Sequence, residues 1–339
     1  MRNAPPPDAN QPASEPRGPD PALAVGMLET GQPVSGSRPL GVAAALPTSM
    51  LQPAVAAPVG DRWHTTRRRL AYVFLIGYAL LMFVPFAWTV VTSFKTLADS
   101  VQLTLIPQPF TTGPWEYVFN KLKPSVIQLF FNSFLIAFAV TLSNVVLGSL
   151  AGYAFARLRF PGRTILFLIV LATLMIPDQL RMLPIYVMFN TIGLSKGPLQ
   201  IGGVILVLAI SATSVFLLRQ YFLTIPKDLE EAARIDGAGF FTTFYRVMLP
   251  LAGPALAAVT ILQFQGTWNS FFWPVVLIRD PSFWTLPIGL TLFRLNGGMS
   301  NDWPPLMATV VIATVPILIL YMFFQRYFVE GIAASGVKG

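Results

Sequence analysis

The chain has no cysteine and a single histidine, His64, in 339 residues. Disulfides, thiolate nucleophiles and thiolate metal sites are therefore excluded. One imidazole leaves little for a histidine-centred metal site or a Ser–His–Asp triad. Charge is also scarce: Asp, Glu, Lys and Arg make up 11% of the chain, against about 25% in a soluble domain. Apolar residues reach 54%, so a water-exposed surface cannot be covered and the composition reads as integral membrane. The net charge of +8 does not point to nucleic acid, because the basic residues stand singly or in short groups between apolar runs and build no basic face. No G-x-x-x-x-G-K-[ST] phosphate loop occurs; the nearest approach, Gly193-Leu-Ser-Lys196, has the wrong spacing. No nucleophile–base or metal constellation appears, and an enzyme is not expected.

What is present divides near residue 60. Residues 1–60 hold 12 of the 30 prolines and no Phe, Trp or Tyr. Such a segment buries too little apolar surface to offset its ordering entropy and is expected to be disordered. It lacks the continuous apolar stretch of a signal peptide. Residues 61–339 then carry six apolar stretches. Leu70–Phe94, Pro124–Ala156, Gly197–Leu218, Val247–Ile278 and Trp303–Gln325 run uncharged for 25, 33, 22, 32 and 23 residues. About 20 helical residues cross a ~30 Å hydrocarbon core. The remaining one, Thr164–Pro177, third along the chain, is uncharged for only 14 residues and spans only if it continues to about Tyr186, past Asp178 and Arg181. Backbone in lipid must pair within helices or a closed barrel, and runs this long predict an all-α fold of six transmembrane helices.

Basic residues near the span ends set orientation. One set of loops carries 13 of them, among them Arg67–Arg69, Arg157, Arg159 and Arg163, and the other set carries 7. The richer set is expected to be cytoplasmic, with both termini inside a plasma or inner membrane.

The loop between the fourth and fifth stretches, residues 219–250, is the most informative. Pro226 suits the first position of a helix. Asp228, Glu230 and Glu231 follow, where acids complement the helix dipole, and Gly237 and Gly239 end that helix. Phe240–Met248 reads as a second helix that leads to Leu249-Pro250. Glu231-Ala232-Ala233, three residues ending in Asp236, Gly237, nine residues, then Val247-Met248-Leu249-Pro250 resembles the EAA loop of ABC importer permeases, with Val247 in place of the family's Ile. Ser93-Phe94-Lys95, Asn132-Ser133, the run Ala151–Arg163, Trp268-Asn269 with Pro274, and Gln325–Gly331 are similar to carbohydrate-importer permeases of the maltose and multiple-sugar type. The likeness covers nearly all of residues 70–339.

The resemblance implies a type I ABC importer permease fold in which the loop helix docks on a cytoplasmic ATPase dimer. Glu231, Ala232, Ala233, Asp236, Gly237, Leu249 and Pro250 would form the coupling surface, and Gly331–Gly339 would also touch the ATPase. The other implied partners are a second permease subunit and an extracytoplasmic sugar-binding protein. ATP and Mg would sit on the ATPase, with no cofactor on this chain. The implied function is ATP-driven sugar import. The alternatives are an ABC permease for a polyol, glycerol phosphate or peptide, and a secondary carrier, which would need embedded titratable residues.

Polar residues inside a span are candidates for the translocation path: Gln263, Gln265, Trp268 and Asn269 lie within the fifth stretch. Amides and an aromatic face suit sugar hydroxyls and a pyranose ring, but the same side chains can bridge neighbouring helices. Asp178 and Arg181, three residues apart, can pair on one helical face, either at the membrane interface or as a gate.

Overall fold

The computed structural model describes residues 62–102, 104–295 and 303–336. The expected disorder of residues 1–60 and most of the tail contact expected at Gly331–Gly339 lie outside the described residues or side chains.

Every regular element among the described residues is helical. Helix α1 (Arg62–Thr92) is followed by short α2 (Leu97–Ser100) and α3 (Gly113–Glu116), the latter continued by a π-turn at Tyr117–Lys121. Helix α4 (Val126–Arg157) is the longest internal element. It leads to α5 (Arg163–Ala172), α6 (Asp178–Thr191), α7 (Leu199–Leu208) and α8 (Ala212–Thr224). The loop elements are α9 (Asp228–Ile235), α10 (Phe240–Thr243) with a π-turn at Phe244–Met248, and α11 (Leu249–Leu251). Helices α12 (Gly253–Trp268), α13 (Phe272–Leu277), α14 (Leu286–Leu295) and α15 (Trp303–Gly336) complete the described chain.

Among the described residues three helices are long and apolar enough to cross a membrane: Arg67–Thr92, Val126–Arg157 and Trp303–Gln325. Six spans are reached when three bent pairs each count as one. The third stretch is the main departure from expectation. It is not a straight helix to Tyr186 but breaks by 99° between α5 and α6. Pro177 is the cause: it disfavours helical backbone at the preceding residue, and Ile176 is extended at φ −89°, ψ 110°. The pair Asp178–Arg181 forms in the first turn of α6, about 40% exposed. The fifth stretch is also divided. The helical segment leading into it, Phe240–Leu251, meets α12 at 77°, and α12 ends at Trp268 before α13. Pro274 cannot continue a helix from Ser270, because its ring would clash with that carbonyl.

The fourth stretch bends by 43° between α7 and α8, and buried Asn144 on α4 satisfies the opened backbone. Its Nδ2 donates to Leu208 O at 2.9 Å, and its Oδ1 accepts from Ser211 N–H at 2.7 Å and from Ser214 Oγ at 3.1 Å. Ser143 Oγ donates to Ala209 O at 2.7 Å. Within lipid such groups have no water to turn to, so one amide makes the bend tolerable.

Helix α4 is the axis, packed on α8, α12, α7 and α14. Gly148-x-x-x-Gly152 lets α8 approach closely. A Cβ at Gly152 would sit 2.9 Å from both Arg219 N and Leu218 Cβ. One apolar cluster (Leu129, Phe264, Trp268, Leu286) lies toward the end away from α9, and another (Tyr153, Leu218, Phe222, Phe244, Met248) lies beneath α9.

The segment after α1 is held by a fully buried lysine. Lys95 Nζ donates to Thr104 O at 2.6 Å and Thr104 Oγ1 at 2.9 Å, and lies 4.6 Å from the centre of the Trp88 ring. Thr104 Oγ1 donates onward to Asp99 Oδ1 at 2.8 Å. The Thr104 hydroxyl holds the Asp99 carboxyl below its ordinary value of 3.8; burial opposes this, and the Gln108 N–H and Lys95 add to it. Asn132 and Ser133 pin another connection: Asn132 Nδ2 donates to Ser282 O and Trp284 O, and Ser133 Oγ accepts from Leu286 N–H.

Candidate functional site

The loop between α8 and α12 follows from its sequence almost residue by residue. Helix α8 closes at Ile225, which is extended at ψ 132° ahead of Pro226. Helix α9 starts at Asp228, two residues after Pro226 rather than on it, with Lys227 at its N-cap. The N–H groups of Glu230 and Glu231 donate to Lys227 O at 2.9 and 3.1 Å. Asp228, Glu230 and Glu231 occupy the first turn, where negative charge meets the positive end of the helix dipole. At the other end Gly237 adopts φ +83°, a conformation that costs side-chain-bearing residues energy. That turn lets Ala238 N–H donate to Ala233 O at 2.9 Å and Gly237 N–H to Arg234 O at 3.0 Å, a Schellman closure. Gly239 caps α10, and the chain turns through α11 into α12.

The two faces of α9 differ. Outward lie Glu231, Ala232, Asp236 and Gly237, all exposed, with Pro250 exposed and Ala233 and Leu249 half-buried. On the same loop Ile235, Phe241 and Tyr245 are 86%, 81% and 71% exposed, bare apolar side chains in a segment that also carries charge. The Arg234 guanidinium lies 5.7 Å from the centre of the Phe240 ring.

Inward lies Glu230, 5% exposed. Its Oε1 is 3.0 Å from Nε of Arg157, the last residue of α4, and both side chains are under 10% exposed. The N–H is not aimed along that line, so the contact is an ion pair rather than a directed hydrogen bond. The guanidinium also donates from Nη2 to Phe222 O at 2.6 Å and to Ile225 O, at the end of α8. One arginine therefore joins α4, α8 and α9. These residues border a cleft of about 970 Å³ whose walls include Tyr153, Arg159, Lys227 and Glu231.

Neither Arg157 nor Glu230 was among the sequence candidates for coupling. A signal existed: a charge that ends 33 uncharged residues needs a partner if it is buried. The partner lies 73 positions away, so spacing could not name it.

The four candidates of the fifth stretch separate. Trp268 is 2% exposed and its Nε1 donates to Ala313 O on α15 at 3.0 Å. It stacks on Phe264 at 5.8 Å and meets Phe130 edge-on at 5.4 Å. Gln265 Oε1 accepts from Tyr321 OH at 3.2 Å, and Asn269 Nδ2 donates to Gln265 O at 3.0 Å. Gln263 and Gln265 are half-buried and Asn269 is exposed. Nearby, Phe134, Phe138, Thr260, Phe264 and Pro316 line an apolar groove of about 600 Å³ between α4, α12 and α15. Among the described residues no three His, Asp or Glu side chains gather as metal ligands would need to.

Residues 144–333 match a family model described as "Binding-protein-dependent transport system inner membrane component". The chain is 37% identical over 276 residues to the arabinooligosaccharides transport system permease protein AraQ of Halalkalibacterium halodurans, covering 80% of this chain and 97% of that protein. It is 33% identical over 267 residues to the sn-glycerol-3-phosphate transport system permease protein UgpE of Yersinia enterocolitica, covering 77% and 94%. In fold it is similar to one chain of a crystal structure of a bacterial ABC transporter involved in the import of the acidic polysaccharide alginate, with TM-score 0.68 at 24% identity, covering 80% of this chain and all of that one.

Proposed function

Because this chain belongs to the family of binding-protein-dependent transport system inner membrane components, we propose that it is the membrane-spanning permease subunit of an ATP-driven sugar importer. It is a transport subunit, and hydrolysis belongs to a partner. It works with a second permease subunit, an ATPase dimer that binds ATP and Mg, and an extracytoplasmic sugar-binding protein. Both termini and α9 face the cytoplasm. The observation that carries this reading is the exposed surface of the loop formed by α9, α10 and the following π-turn. Its acids, small residues and bare Ile235, Phe241 and Tyr245 form a patch that water alone does not favour and that an ATPase cleft would cover.

Glu231, Ala232, Ala233, Asp236 and Gly237 are the docking residues, with Leu249 and Pro250 setting the turn into α12. Small side chains permit close approach, and Glu231 offers a carboxylate to a basic group. Helix α1, none of whose apolar window is buried in this chain, faces lipid and the second permease. Gln263, Gln265 and Asn269 are the polar residues offered to the translocation path, while Trp268 supports them from within the core. Sugar is favoured as substrate by the likeness to an arabinooligosaccharide permease at 37% identity. Glycerol phosphate is the second reading, supported by the relative at 33%.

The test is to express the chain with its co-purifying ATPase and replace Ile235 or Phe241 with Asp. Expected is a chain that stays in the membrane fraction but no longer retains the ATPase, with ATP-driven uptake lost. Unchanged retention in both variants would refute docking on this face. Competition of labelled uptake by arabino-oligosaccharides against glycerol phosphate separates the two substrate readings.

A further inference from the structure

Helix α9 is eight residues long, too short to be rigid or stable by itself. If an ATPase moves it, something must carry that displacement into the spans. Backbone continuity alone is a poor carrier, because the chain leaves α8 through the extended residue Ile225 and leaves α9 through the left-handed Gly237. Both are places where φ and ψ can absorb motion. The packing of α9 is mainly against α10 and the π-turn that follows it. A direct link from α9 to the axial helix is the buried ion pair of Glu230 with Arg157.

We propose that Arg157 and Glu230 form a strut that transmits movement of the coupling helix to α4 and α8. This rests on the proposed function above. Three features of the geometry fit the role. Arg157 is the terminal residue of α4, so a displacement of Glu230 acts at the end of the longest internal helix. The same guanidinium holds Phe222 O and Ile225 O, so α8 cannot shift without α4. Both side chains are nearly free of solvent, which keeps the attraction unscreened. The planar guanidinium gives two carbonyls directed hydrogen bonds while its charge faces Glu230; a lysine's compact ammonium does not reproduce that fork. Arg157 and Glu230 are positioning residues and touch no substrate.

The experiment uses the complete importer in proteoliposomes, with ATP hydrolysis and solute uptake measured on the same sample. Variants are Glu230→Gln, Glu230→Asp and Arg157→Lys, with retention of the ATPase checked in each. Expected for Glu230→Gln is an assembled complex that hydrolyses ATP within about twofold of wild type while uptake per ATP falls about tenfold or more. Glu230→Asp, which keeps the charge, should recover a substantial part, and Arg157→Lys should resemble Glu230→Gln. Wild-type uptake per ATP in both Glu230→Gln and Arg157→Lys would overturn the strut. Loss of ATPase retention in those variants would also overturn it, by making the pair a determinant of loop folding. Were the unmodified complex to show no ATP-dependent uptake, the proposed function would fall first and the strut with it.

Discussion

Replacing Gly152 with alanine tests the packing on which the transmission path depends. The new Cβ would stand 2.9 Å from Arg219 N, 2.9 Å from Leu218 Cβ and 3.2 Å from Leu218 C. Two of those three atoms are backbone, so no side-chain rotation relieves the overlap, and α4 and α8 must separate. Inserting a methyl into packed surroundings costs about 1–3 kcal/mol, while alanine in place of helical glycine returns about 0.8–1 kcal/mol. The return cancels against a control, Gly202→Ala on α7, where an added Cβ meets nothing within 4 Å. The two variants should then differ by about 1–3 kcal/mol, or roughly 2–12 °C in unfolding midpoint at ~2–4 °C per kcal/mol. Gly148→Ala should fall between them, because its Cβ would meet Ser214 Cβ at 3.1 Å. Detergent-solubilised protein followed by tryptophan fluorescence during heating gives the three midpoints. Equal midpoints for Gly152→Ala and Gly202→Ala would refute the close crossing of α4 and α8.

Asn144→Leu should orphan Ser211 N–H, Ser214 Oγ and Leu208 O at the bend of the fourth span, at about 1–3 kcal/mol for each group left unpaired. The check is a lower melting midpoint and a smaller monodisperse fraction; wild-type behaviour would contradict the role of the amide. The Asp99 carboxyl sits below its ordinary value of 3.8 in the fold. Its charged form therefore stabilises the segment fully above that pH, and the stabilisation is lost as pH falls through the lowered value. Hydrogen exchange in residues 97–102 and 104–110 should rise only below about pH 3.8, and Thr104→Val should move the onset upward; an onset near neutrality would contradict the network. At Gly237, φ +83° makes alanine cost about 1–2 kcal/mol, whereas Asn tolerates the left-handed region better. Coupled uptake should then be higher in Gly237→Asn than in Gly237→Ala, and equal losses would show that conformation is not what glycine supplies.

How much of this was legible in the sequence varies with how local the cause is. The unbroken spans α1, α4 and the start of α15 follow from uninterrupted apolar runs. The glycine that ends α9 is equally local, because a left-handed turn closing a helix calls for glycine. The breaks were less legible. Pro177 stands in the sequence as a helix stop, yet a 99° turn depends on what packs around α5 and α6. The bend before α8 has no proline at all and exists because Asn144, more than 60 positions earlier, accepts and donates at the right places. Gly148-x-x-x-Gly152 was readable as a close-packing pattern, though not its partner helix. The Arg157–Glu230 contact was the least accessible, because charge at the end of a span serves orientation as readily as pairing. Trp268 shows the opposite limit: an aromatic suited to sugar by chemistry is spent on Phe264, Phe130 and the Ala313 carbonyl.

The most direct measurement is solute accumulation by proteoliposomes that contain this chain and its second permease, with and without the ATPase subunit, supplied with Mg-ATP and binding protein. The account predicts uphill accumulation only when the ATPase is present, abolished by Ile235→Asp. Accumulation against a gradient without the ATPase, driven by an ion gradient alone, would contradict it.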